Sequence, residues 1–202
     1  MTKYFLSLLS LGLLVPFAIA QEAVSFPQKR VAVWSFEQLL GGAPNFRFVY
    51  EPTAGTHDKV EEFPTLAEGV VGNALKLDGQ STRLTRPADK SPALGEAFSF
   101  EGWIALQEYP WNWAAIVNQE RDHNEGWFFG ISGEGRLGLH VAKDGKWIEC
   151  NSKSQLPLLK WAHVAGSYDS ISGLKVFING KLEGEIKTTG PITPVKGVDL
   201  LL

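Results

Sequence analysis

The residues best placed to do chemistry in this 202-residue chain lie in two short stretches and on one strand. The first stretch is Glu120-Arg121-Asp122-His123-Asn124-Glu125, an E-x-D-x-x-E array of carboxylates. On a strand, Glu120 and Asp122 would share a face, and a retaining glycosidase needs two carboxyl groups about 5 Å apart, one as nucleophile and one as general acid. The positions between them, Arg121, His123 and Asn124, are polar and read as a solvated loop, so no catalytic residue is assigned. The second stretch is Tyr109-Pro110-Trp111-Asn112-Trp113. Flat aromatic side chains stack on the C–H faces of sugar rings, and the Asn112 amide can bond hydroxyls; the alternative is that Pro110 turns the chain and one or both tryptophans fold back onto the sandwich. Arg136 and His140 complete the candidate ligand set, because alternation puts them together on the strand face opposite Leu137, Leu139 and Val141.

Other chemistries find no footing. His57, His123, His140 and His163 have no zinc-ligand spacing, and neither a G-x-S-x-G elbow nor a phosphate-binding loop occurs. Asp58, Asp122, Asp144 and Asp169 lie near expected turns without the dense oxygen spacing of a calcium loop, so no cofactor is assigned and calcium stays a candidate only. The net charge is −3 with no Lys/Arg cluster, which argues against nucleic acid as partner. A single cysteine, Cys150, excludes a disulfide framework and reads as a buried, inert thiol.

The elements that must position these residues are strands. Asp144-Gly145 and Asn179-Gly180 each sit between alternating apolar runs, and both dipeptides tolerate the positive φ of two-residue hairpins. Ser132-Gly133-Glu134-Gly135 marks a third turn. Phe98, Phe100 and Ile104 alternate with Ser99, Glu101 and Trp103, and Ala162, Val164, Gly166 and Tyr168 alternate with Trp161, His163 and Ala165. Trp103, Trp127 and Trp161 are expected in the core. Short helical turns are expected near residues 36–40 and 91–95, and a long surface excursion over residues 41–68. Strands joined by short turns predict an all-β, antiparallel two-sheet β-sandwich.

Residues 1–20 read as an export leader: Lys3 supplies the charge, Phe5 to Val15 the apolar run, and Ala18-Ile19-Ala20 the cleavage pattern. The run is shorter than the roughly 20 residues of a membrane span, so no membrane insertion is expected after leader removal. A secreted, periplasmic or extracellular location follows.

Five motifs in order carry a family resemblance. Gly72-Asn73-Ala74-Leu75-Lys76-Leu77-Asp78-Gly79, Phe98-Ser99-Phe100-Glu101-Gly102-Trp103-Ile104, Gly126-Trp127, Trp161-Ala162-His163-Val164-Ala165-Gly166-Ser167-Tyr168-Asp169 and Val176-Phe177-Ile178-Asn179-Gly180-Lys181 resemble the strands of laminin-G-like, concanavalin A-like jelly-roll domains. The resemblance runs from about Val31 to the end. It implies a jelly roll over residues 21–202, truncated at its C-terminal end, since the family continues with a further strand or two. It implies a non-catalytic module that binds a polysaccharide or glycan, or a protein surface, as the N-terminal accessory domain of a larger exported, glycoside hydrolase-type protein. Two alternatives stand beside it. Glu120, Asp122 and Glu125 resemble the acidic motif of laminarinase-type glycosidases, and the module would serve as a spacer if Trp111 and Trp113 packed on an adjacent domain.

Overall fold

The structure, a computed structural model, describes residues 30–202; the expected leader lies outside them. The described residues form fifteen strands and one short 3-10 turn at Ala88–Lys90. The first six strands are β1 (Leu40–Ala43), β2 (Phe46–Glu51), β3 (Thr56–Glu61), β4 (Thr65–Glu68), β5 (Asn73–Lys76) and β6 (Arg83–Arg86). The long central strands follow: β7 (Ala97–Ala105), β8 (Ala114–Arg121), β9 (Glu125–Ile131), β10 (Arg136–Lys143) and β11 (Lys146–Gln155). The last are β12 (Trp161–Asp169), β13 (Gly173–Ile178), β14 (Lys181–Ile186) and β15 (Leu200–Leu201). They make a nine-stranded sheet in the order β1-β2-β3-β6-β15-β8-β9-β10-β11, a four-stranded sheet in the order β14-β13-β12-β7, and a separate β4-β5 hairpin. All strand pairings are antiparallel, as the all-β reading requires.

The two-residue hairpins form where the dipeptides predict them. Asp144 and Gly145 adopt φ of 50° and 69° and join β10 to β11; Asn179 and Gly180 adopt 50° and 76° and join β13 to β14. The main core lies between the two sheets. Trp127, Phe129, Leu137, Leu139 and Val141 from the large sheet meet Ala162, Val164, Tyr168, Leu174 and Val176 from the small one, all buried. Phe100 stands 4.4 Å from the Trp127 ring and 5.8 Å from Phe129.

A second, smaller core of Val49, Val60 and Leu84 lies under the irregular segment carrying Trp34, Phe36 and Leu39. Beside it Arg86, fully buried, pairs with Asp58 at 2.6 Å and Glu51 at 3.1 Å, while Trp34 Nε1–H donates to Asp58 at 2.7 Å and its ring lies 4.7 Å from the guanidinium. Burial pushes the Glu51 carboxyl up, but the backbone N–H groups of Ala54, Val33 and Thr53 bond its oxygens at 2.8–2.9 Å and hold its pKa at about 2.

Three expectations are corrected. Residues 41–68 contain four strands instead of a surface excursion, because β2 and β3 bury Val49, Val60 and an ionic set that composition counts as polar. No helical turn forms over 36–40, where β1 begins, nor over 91–95; the 3-10 turn precedes the latter at Ala88–Lys90. Of the three tryptophans expected in the core, only Trp127 is buried there. Trp103 is 52% exposed and Trp161 36%, because their strands present the alternate residues Phe98, Phe100, Ala162 and Val164 to the core.

Candidate functional site

The outer face of β8–β11, turned away from the small sheet, gathers two of the predicted ligand residues, Trp113 and His140. Register fixes who meets whom: Asn118 pairs with Phe128, Phe128 with His140, and His140 with Glu149 across four strands. The same alternation that sends Leu137, Leu139 and Val141 inward turns Gly138 and His140 outward. Over this floor lies the loop joining β7 to β8. Tyr109 Oη–H donates to the Leu156 carbonyl at 2.7 Å, and its ring occupies the space that a Cβ on Gly135, at φ 75°, would fill. That contact pins the loop across the Ser132–Gly135 turn.

Trp113 then lies directly on Gly138, where a Cβ would stand 2.7 Å from its ring. It meets Phe128 edge-on at 5.7 Å and His140 at 4.5 Å, and keeps 37% of its surface exposed. Trp111, two residues earlier, is 96% exposed. His140 is buried, stacks on Phe128, and sets Nε2 2.8 Å from Asn151 Oδ1, which places a proton on Nε2. Burial depresses its pKa below the ordinary imidazole value and the nearby His123 adds to this, against the opposing pull of Asn151 and Glu149. Trp147 continues the aromatic surface, edge-on to His140 and stacked on His123 at 4.8 Å.

The structure thus unites Trp113 with His140 and carries Trp111 and Asn112 on the same pinned loop. Arg136 stands apart: its guanidinium donates to the carbonyls of Ser152 and Lys153 and pairs with Glu134, so it braces the end of the β10–β11 ladder. Phe128, Trp147, His123 and Asn151 were not foreseen. The Asp144-Gly145 turn contained the signal for Trp147, since a two-residue hairpin there pairs Ala142 with Trp147 and His140 with Glu149.

The carboxylate array does not converge. Asp122 and His123, at φ 50° and 57°, form the tight β8–β9 turn; Glu120 accepts the His123 N–H at 3.0 Å, and Glu125 pairs with Arg121 at 3.3 Å. The calcium candidates are likewise engaged: Asp58 holds Arg86, Asp144 pairs with Lys143, and Asp169 accepts the N–H groups of Ile171 and Ser172. Among the described residues no three His, Cys, Asp or Glu side chains group as metal ligands, and no helix is long and apolar enough to cross a membrane. Cys150 is buried, and burial pushes its thiol up to about 11.

With two stacked antiparallel sheets in place, comparison with known proteins identifies the class. Residues 78–202 match a sequence model of the concanavalin A-like lectin/glucanases superfamily, and the chain belongs to that superfamily. No curated protein matches the sequence. Among solved structures, domain 4 of AbnA, a GH43 extracellular arabinanase from Geobacillus stearothermophilus, in complex with arabinotriose, is similar with a TM-score of 0.54 and 19% identity over 69% of this chain and 65% of that one. The binding domain of Paraclostridial Mosquitocidal Protein 1 gives a TM-score of 0.56 at 15% identity, over 84% of this chain and 46% of that one. The binding domain of botulinum neurotoxin serotype D/C gives 0.52 at 17%, over 85% and 47%. The chain therefore spans less than two thirds of the length of these structures, and the likeness at these identities is one of fold.

Proposed function

We propose that this chain is a secreted, non-catalytic binding module that takes a polysaccharide or glycan on the Trp111–Trp113 loop and the adjoining face of β8–β11. The observation that carries the reading is Trp111: a tryptophan 96% exposed, held on a loop whose base is pinned by Tyr109. A side chain of that size left in water forgoes burial, which stacking on a sugar face would recover. Trp113 supplies a second, firmly seated platform, and Asn112 and Asn151 supply amides beside it. The arabinotriose bound by the arabinanase domain supports the ligand class. In the same reading the module is an accessory domain of a larger exported, glycoside hydrolase-type protein, where tethering raises the local concentration of a catalytic partner on its polymer.

The test is affinity electrophoresis and calorimetry against a panel of polysaccharides that includes arabinan, with arabinotriose as the first oligosaccharide. Trp111→Ala should weaken binding by about 2 kcal/mol, some thirtyfold, as hot-spot tryptophans do, while leaving the melting temperature unchanged. Binding retained in both Trp111→Ala and Trp113→Ala would remove the site.

A further inference from the structure

We propose that the outer face of the small sheet is a second carbohydrate site, where a neutral, linear glycan lies along β12 with its sugar rings on Trp103 and Trp161. The site shares the ligand class of the glycan reading but none of its residues, and it lies on the opposite side of the sandwich. Tryptophan is highly buried on average. Here two of them, on adjacent strands of one face, keep 52% and 36% of their surface in water, and the core uses neither.

Register assembles the face. Trp103 on β7 stands opposite His163 on β12, edge-on at 5.3 Å, and Trp161 stands opposite Ala105, so the two indoles are diagonal neighbours across one ladder. Beyond them along β12 come Ala165 and Ser167, flanked by Glu101 and Ser99 on β7 and by Phe177 and Lys175 on β13. Small side chains on the middle strand make a shallow lane, and the step from Trp161 to Ser167 gives it a length of about 20 Å. The tryptophan end is braced. Leu106 and Leu158 form a parallel bridge, and the Leu159 N–H donates to the Leu106 carbonyl at 2.7 Å. The His163 N–H donates to Asn179 Oδ1 at 2.9 Å, and the Asn179 N–H returns a bond to the His163 carbonyl at 2.8 Å. A platform already held this way loses little freedom when a ligand lands on it.

The charges on the face select the occupant. Lys175 and Glu185 cancel one another at 3.5 Å, which leaves Glu101, its side chain 72% exposed and 3.7 Å from His163, as the excess charge. An acidic polymer is repelled there. A protein partner fits poorly too. The centre of a protein interface is depleted of Glu and Lys and a stable one buries about 800 Å² on each side, whereas Glu101 and the Lys175–Glu185 pair interrupt the apolar surface. A neutral sugar chain meets neither obstacle. Its C–H faces stack on the indoles, its hydroxyls donate to Glu101, and the hydroxyls of Ser99 and Ser167 bond in either direction.

Calorimetry tests this with linear arabinan, xylan and mixed-linkage β-glucan as neutral polymers and polygalacturonate as the acidic one. Three proteins are compared: the unaltered chain, the Trp111→Ala/Trp113→Ala double variant, and that variant with Trp103→Ala added. The double variant should keep binding at least one neutral polymer, Trp103→Ala should weaken what remains by roughly tenfold or more, and polygalacturonate should not bind. A second measurement needs no variant: oligosaccharides of the bound polymer should shift the Trp103 and Trp161 indole N–H signals in NMR spectra of the unaltered chain. A double variant that binds nothing while the unaltered chain binds would remove this site and leave the loop site standing. Residual binding untouched by Trp103→Ala, unmoved Trp103 and Trp161 signals, or polygalacturonate bound as tightly as the neutral polymers would also overturn it. Binding unchanged in the double variant and lost with Trp103→Ala would uphold this site and remove the loop site, and an unaltered chain that binds no polymer would remove both.

Discussion

Strands β8–β11 and strands β2, β3 and β6 share one sheet, yet they seal their inner faces in opposite ways. The first group presents Trp127, Phe129, Leu137 and Leu139 to a partner sheet and is dry and apolar. The second presents Arg86, Glu51 and Asp58, with Val49, Val60 and Leu84, to a strap of irregular chain, and nearly every charged oxygen there is spoken for. Apolar packing degrades by increments as side chains shrink. An ionic set under a strap has no such latitude, because removing one member strands the others without water. The outer faces differ as well: aromatic and open over β8–β11, but over β3 and β6 occupied by Lys59 and Arg83 pairing with Glu61.

The largest effects should fall on the two inner faces. Arg86→Met, which leaves two buried carboxylates unpaired, should cost about 3–5 kcal/mol in chemical denaturation. Trp127→Ala should cost a similar ~3–5 kcal/mol by cavity formation. The comparison sharpens if exchange in Arg86→Met rises first in β2, β3 and β6, and in Trp127→Ala first in β8–β10; uniform loosening in both would erase the distinction.

Acid should separate the halves by pH. Glu51 titrates ordinarily near 4.5 and is held at about 2 in the fold, so its contribution is whole above pH 4.5 and is lost as pH falls toward 2. His140 acts earlier. Its folded pKa lies below the ordinary 6.5, so the unfolded chain takes up a proton the fold refuses, and stability declines as pH drops below 6.5. Thermal melts from pH 7.5 to 3 should show both slopes, and His140→Gln should flatten only the first. The smallest effect belongs to Trp111→Ala, which should change stability by no more than about 0.5 kcal/mol because nothing packs on that ring.

Much of the β10–β14 part was legible because the alternation of β10 and β12 agrees with the Asp-Gly and Asn-Gly turns that join β10 to β11 and β13 to β14. The half built on β2, β3 and β6 was not. Its inner face depends on Glu51, Asp58 and Arg86, polar residues far apart in sequence whose burial makes sense only as a set. Trp103 and Trp161 teach a different lesson. Period-two alternation already set them opposite Phe98, Phe100, Ala162 and Val164, and residue type overruled it; the backbone pattern was the better guide. At the β7–β8 loop, Trp111 and Trp113 were legible as candidates, but the seat beneath Trp113, a bare Gly138 flanked by Phe128 and His140, emerges only from register across two strands.

Cys150, the chain's one thiol, sits on β11 with its sulfur turned into the main core and its pKa raised to about 11. While β11 holds, a maleimide or disulfide reagent meets neither surface nor thiolate. The rate at which such a reagent labels the native protein is therefore a clock for the opening of the large sheet's outer strand, with no engineered probe and no competing cysteine to correct for.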